Sequence, residues 1–223
     1  QAHLVEPHLF PVKRSYYARH PIGFVDLANT TAAPVALQLV LQTSDGSGSY
    51  ETGTLTLDPH ERRRLPFYLR LDPSASSPEP VRFEHLDVAA RVDGRLNPLA
   101  RLPVTIYSPN AWPGLTWELK YFVTPEAPEV ARRAEHDFLQ ARSAGARPSD
   151  PAARFAHLKA FVTALGRGLA YLPDPTTTLA VDHVQYPAET LAAGTGDCED
   201  LAVYLSSALM AVGGSTALVD LRP

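Results

Sequence analysis

Two periodicities divide this chain, and that division constrains its fold more than any other feature. Up to about residue 110, apolar residues recur at every second position in short runs cut by turn residues. Beyond Thr124 they recur at intervals of three and four. The clearest alternating run is Val35 to Gln42, which places Val35, Leu37, Leu39 and Leu41 on one face of a strand. Gly23 to Asn29 alternates before it, and Thr30 to Pro34 breaks the pattern. A Ser/Asp/Gly loop over Thr43 to Ser49 leads into Thr52 to Leu57. Further strands are expected around Leu65 to Leu71, over Phe83 to Val92 and over Leu99 to Tyr107, the last two divided by Asp93-Gly94. Six or seven short alternating strands with regular punctuation predict an antiparallel β-sandwich.

Composition changes at Asn110. Asn110 to Gly114 is a turn, and Trp117 to Val123 reads as a strand or a linker. Thr124-Pro125-Glu126 is expected to open a helix that runs to about Arg142 with Val130, Ala134, Phe138 and Ala141 on its apolar face. A loop over Ser143 to Ser149 follows. Asp150-Pro151 then signals another helix start, an N-cap residue followed by proline at the first helical position. That helix is expected to bury Phe155, Leu158, Val162, Leu165 and Leu169. Tyr171 to Thr178 reads as a loop. The division is therefore a β domain over 1–110, a linker over 111–123 and a mainly helical region over 124–223.

Cys198 is the only cysteine, so it forms no disulfide within the chain. It follows a glycine-bearing stretch, Gly194-Thr195-Gly196-Asp197, and opens a helical pattern stopped by Gly213-Gly214. At about 100° per residue, Ala202, Leu205, Leu209 and Val212 lie within roughly 40° of Cys198 on one stripe, with Asp200 on the opposite face. Two readings of the thiol follow. One is a small core residue, since free cysteine is commonly buried. The other is a nucleophile, since free N–H groups and the dipole at a helix start favour a thiolate. Asp197, Glu199 and Asp200 read as solvated groups suited to the helix start. The anions flanking the thiol oppose its ionisation, so a nucleophile here needs a cationic partner such as histidine.

Gln185-Tyr186-Pro187-Ala188-Glu189-Thr190-Leu191, followed by Gly194-Thr195-Gly196-Asp197-Cys198-Glu199-Asp200-Leu201-Ala202, resembles the nucleophile segment of transglutaminase-like cysteine proteinases, closest to the bacterial branch. Leu205, Leu209, Gly213 and a strand-like Thr216 to Asp220 continue the likeness, which is close over about forty residues. The resemblance implies a papain-like α+β fold and a Cys-His-Asp triad performing acyl transfer on a protein or peptide substrate through a Cys198 thioester. It implies an oxyanion donor at Gln185 or Tyr186 beside the Cys198 N–H, with Tyr186 equally readable as aromatic packing. It also suggests calcium held by Asp197 and Glu199. The family histidine and aspartate lie well downstream of the cysteine, whereas no histidine follows Cys198 here, and His157 and His183 match no family position. The expectation is a chain that lacks its C-terminal catalytic segment and is inactive alone. The alternative is a non-catalytic binding or scaffold protein with Cys198 as core packing.

The turns at Asn29-Thr30-Thr31 and Leu57-Asp58-Pro59-His60-Glu61 loosely resemble immunoglobulin-like accessory domains of bacterial surface proteins, which leans the compartment toward an extracytoplasmic one. The run Arg62-Arg63-Arg64 reads as a solvated strand edge. A net charge of −4 with both signs dispersed excludes an electrostatic nucleic-acid footprint. No apolar run approaches the roughly 20 residues of a membrane helix. No signal peptide is read, and Gln1-Ala2-His3 is compatible with a processed N-terminus.

Overall fold

The computed structural model describes residues 1–72, 79–142, 150–173 and 181–219. The expected loops over 143–149 and 174–178, and Asp220, lie outside these. The chain is mixed α/β with antiparallel sheets, and it divides into two compact units, Gln1–Ala111 and Trp112–Pro223.

Among the described residues, the first unit contains ten strands: β1 (Ala2–Leu4), β2 (His8–Leu9), β3 (Gly23–Ala28), β4 (Val35–Thr43), β5 (Gly48–Glu51), β6 (Leu55–Leu57), β7 (Arg62–Phe67), β8 (Arg70–Leu71), β9 (Val81–Val92) and β10 (Arg95–Tyr107). One sheet has the order β1-β3-β7. The other runs β2-β10-β9-β4-β5-β8, with β6 beside β4. Pairing is antiparallel except between β10 and β2. Both sheets feed one buried cluster, Val25, Leu27 and Phe67 from the first meeting Leu39, Leu41, Leu86, Val88 and Ile106 from the second. The alternation in β4 selects its buried side as expected: Leu37, Leu39 and Leu41 are buried.

Local chemistry sets the turns. Asp93 and Gly94 both take positive φ, 48° and 76°, which joins β9 to β10 by a two-residue hairpin matched to strand twist. Asn29 is buried and its Nδ2 donates to the carbonyls of Ala33, Leu57 and Asp58, so one side chain ties two turns together. Arg62, Arg63 and Arg64 lie on β7, at an edge of the three-stranded sheet, where charge discourages further strand pairing.

Three expectations for this unit are corrected. A short 3-10 turn at Pro11–Lys13 and α1 (Arg14–Tyr17) interrupt the strands, with Tyr17 fully buried. The expected loop over Thr43 to Ser49 already contains the start of β5. The expected strand over Leu65 to Leu71 is split into β7 and β8.

The second unit holds α2 (Pro128–Ala141), α3 (Pro151–Leu165), α4 (Pro187–Ala193) and α5 (Cys198–Ala211). Thr116–Tyr121 is a 3-10 helix rather than a strand or linker. The α2 helix begins at Pro128, later than Thr124, because a second proline can serve as the first helical residue while Ala127 stays extended. Its expected face holds, with Val130 and Ala134 buried and Phe138 and Ala141 partly so. Asp150 caps α3 as expected, Oδ2 accepting from Ala153 N at 3.1 Å. The buried face of α3 is Phe161, Ala164 and Leu165, whereas Phe155 is 69% exposed. This helix is apolar on several sides, so periodicity alone does not select which side packs. Thr216 to Val219 form no strand. Among the described residues, no helix is long and apolar enough to cross a membrane.

Candidate active site

Gly194 ends α4 in the left-handed conformation, φ 68°, a backbone state that glycine adopts without steric cost. The chain then runs through Thr195–Gly196, paired in parallel with Ala170–Tyr171, into the start of α5. Asp197 is the N-cap and Cys198 the first helical residue. Asp197 Oδ1 accepts from Asp200 N at 3.2 Å, and Asp200 Oδ2 accepts from Asp197 N at 3.3 Å. This reciprocal box satisfies amides that have no intrahelical acceptor. Asp200 Oδ1 also accepts from Gln185 N at 2.7 Å.

Asp200 is only 1% exposed and Asp197 is buried as well, which corrects the reading of both as solvated. The core-facing side of α5 is formed by Asp200, Val203, Tyr204, Ser207 and Ala208. The stripe that Cys198 shares with Ala202, Leu205 and Leu209 instead lines a cavity of about 550 Å³, together with Trp112 and Leu119. Cys198 is exposed, so core packing does not account for it.

The thiol is far from activated. Cys198 Sγ donates to Glu199 Oε2 at 2.9 Å, a bond only the protonated form makes. That bond, partial burial, and the charges of Glu199 and Asp197 push its pKa up to about 11, against a smaller downward pull from its own backbone N–H. Fewer than about one thiol in a thousand is then ionised at neutral pH. Among the described residues, no histidine lines the cavity. His157 Nδ1 lies 3.1 Å from Ala141 O and its ring meets Phe138 edge-on, while His183 is exposed on a two-residue strand.

The two oxyanion candidates have other partners. The Gln185 backbone N–H is committed to Asp200, and its side-chain Oε1 is buried without a hydrogen-bond partner among the described residues. Tyr186 caps α4, its N–H donating to Glu189 Oε2 at 2.7 Å, and its ring packs 5.3 Å from that of Phe122. Neither residue lines the cavity among the described residues. The donor set at Asp197 and Glu199 does not fit calcium: one Asp197 oxygen serves the cap, a Glu199 oxygen holds the thiol proton, and a calcium site needs six to eight oxygens. No group of three or more His, Cys, Asp or Glu side chains among the described residues is placed to hold a metal ion.

Sequence reasoning missed two features. The cavity walls Trp112 and Leu119 carry no local signal, because they reach α5 from distant positions in the chain. The Asp200 buried cap was detectable, since Asp197 and Asp200 stand at capping-box spacing. Comparison with protein-family models and with curated proteins finds no match to this chain.

Proposed function

We propose that this chain carries the nucleophile of a transglutaminase-like cysteine hydrolase, a peptidase, on an Ig-like β-sandwich followed by the helical part of a papain-like domain. The observation that carries the reading is the exposed Cys198 thiol at the first position of α5, opening onto a cavity with an apolar wall. A thiol on a helix terminus beside a groove has access to an extended chain, and its own N–H is suited to stabilise an oxyanion. In this reading the Cys198 sulfur bonds to a peptide carbonyl carbon, the amine leaves with a proton, and water resolves the thioester.

The raised thiol pKa defines what else the reaction requires. A base must take the proton that Glu199 now holds in place, and a cation must offset the charges of Glu199 and Asp197. In this proposal a histidine, oriented by an aspartate, comes from the downstream catalytic segment that the resemblance implies. The test compares fluorogenic peptide turnover by the 223-residue chain, by the same chain joined to the coding sequence after Pro223, and by the Cys198→Ser form of each. The joined form is expected to turn over peptides and to lose several orders of magnitude on Cys198→Ser, while the short chain stays near background. Turnover that survives Cys198→Ser overturns the reading. The same protonated thiol favours a second reading, a non-catalytic binding module, which a joined form inert toward every peptide would support.

A further inference from the structure

Asp200 is placed in a way that capping alone does not require. An N-terminal capping box needs one side-chain oxygen reaching back to the cap residue, which Asp200 Oδ2 supplies to Asp197 N. Its other oxygen reaches outside the helix to the Gln185 main chain, fifteen residues earlier, by the shorter of the two bonds, 2.7 Å. One buried carboxylate therefore joins the segment entering α4 to the residue immediately before the thiol. Charge-assisted bonds from main-chain N–H groups to a carboxylate are among the stronger hydrogen bonds a protein makes, and burial removes competing water.

Gly196 supplies an independent observation. A Cβ built there would lie 2.7 Å from Asp200 Cβ and 3.0 Å from Oδ2. The chain before the thiol is thus packed so tightly on this carboxylate that only glycine leaves it room. Gly196 lacks a side chain where Asp200 folds back against it.

Resting on the hydrolase reading above, we propose that Asp200 is a positioning residue, whose carboxylate ties the Asp197-Cys198 main chain to the Gln185 segment and so holds the Cys198 N–H in the register that oxyanion stabilisation requires. The carboxylate does not touch the substrate. It acts by fixing two stretches of main chain against each other, and misplacement of such groups by about 1 Å is enough to cost two orders of magnitude in rate.

The experiment separates attack that builds an oxyanion from attack that does not. With p-nitrophenyl acetate, the Cys198 sulfur bonds to the acetyl carbon through a tetrahedral oxyanion. The carbon–oxygen bond then breaks, p-nitrophenolate leaves, and the thiol proton goes to solvent. With iodoacetamide the sulfur displaces iodide and no oxyanion forms. Both reactions consume the thiolate, so the fraction of thiol ionised cancels in the ratio of their rates. The ratio is measured for the 223-residue chain, Asp200→Asn, Gly196→Ala and N-acetylcysteine, each protein rate corrected by its Cys198→Ser background.

The native chain is expected to exceed N-acetylcysteine by about tenfold or more, and both variants are expected to fall to the N-acetylcysteine ratio with iodoacetamide rates unchanged. Helix capping alone would move both rates together. If the native ratio is high and the folded variants keep it, the positioning role of Asp200 is wrong while the hydrolase reading stands. A native ratio no higher than that of N-acetylcysteine removes the hydrolase reading and this inference with it. Should Asp200→Asn fail to fold, Gly196→Ala decides, since it displaces the carboxylate without altering its charge.

Discussion

Strand β4 and helix α5 bury their side chains by different rules. In β4, three leucines at alternate positions enter the core, and the residues between them are half-buried or exposed. In α5, the charged Asp200 and Ser207 face inward, and the apolar stripe beginning at Cys198 borders a cavity. The difference lies in where polar groups find partners. A strand satisfies its main chain through its neighbours, leaving hydrophobicity to choose the buried face. A helix start has unsatisfied amides of its own, and the carboxylates that satisfy them follow those amides inward. Ser207 does likewise, its Oγ donating to Val203 O at 2.9 Å and accepting from Thr124 N at 3.0 Å.

The contrast breaks most visibly in stability. Leu39→Ala, at a fully buried β4 position, is expected to cost about 3 kcal/mol, and Leu205→Ala on the cavity side of α5 about 1 kcal/mol. Urea unfolding followed by amide exchange in each unit reads both, and equal losses would erase the distinction. Next, Asp200→Ala should cost about 2 kcal/mol by leaving buried amides without an acceptor, whereas Glu199→Ala should stay within about 0.5 kcal/mol. Thermal unfolding of the pair separates a buried cap from a half-buried acid.

This is where legibility in the sequence ended. The strands β3, β4, β9 and β10, the start of α3 at Asp150-Pro151 and the start of α5 at Cys198 are readable because local chemistry specifies each. The buried faces of α3 and α5 are not. Both helices carry apolar residues on more than one side, and the choice between sides is made by partners distant in sequence. At the site itself, the position of Cys198 and the repulsion of its flanking acids could be read from spacing. The bond from its thiol to Glu199 could not, since it depends on a side-chain rotamer. Nor could the buried packing of Asp200 against Gly196.

Two smaller effects sharpen the same point. Glu199→Gln removes a charged acceptor that stabilises the protonated thiol. The thiol pKa should therefore fall from about 11 toward its ordinary value, with more thiolate at pH 8 and iodoacetamide alkylation of Cys198 faster by about tenfold. An unchanged rate would mean that Glu199 does not hold the proton. Phe155→Ser, at a position whose periodicity points to the core of α3, should change stability by no more than about 0.5 kcal/mol because the ring is largely exposed. A substantially larger loss in thermal unfolding would restore the face that periodicity selects.

Cys198 is accessible yet held protonated by its own helix start. The direct measurement is the pH dependence of Cys198 alkylation in the native 223-residue chain. The alkylation rate is expected to rise about tenfold per pH unit from pH 7 to pH 10 without levelling, as a midpoint of about 11 requires. A rate that levels below about pH 8 would show a thiolate already activated within this chain, and would contradict the account.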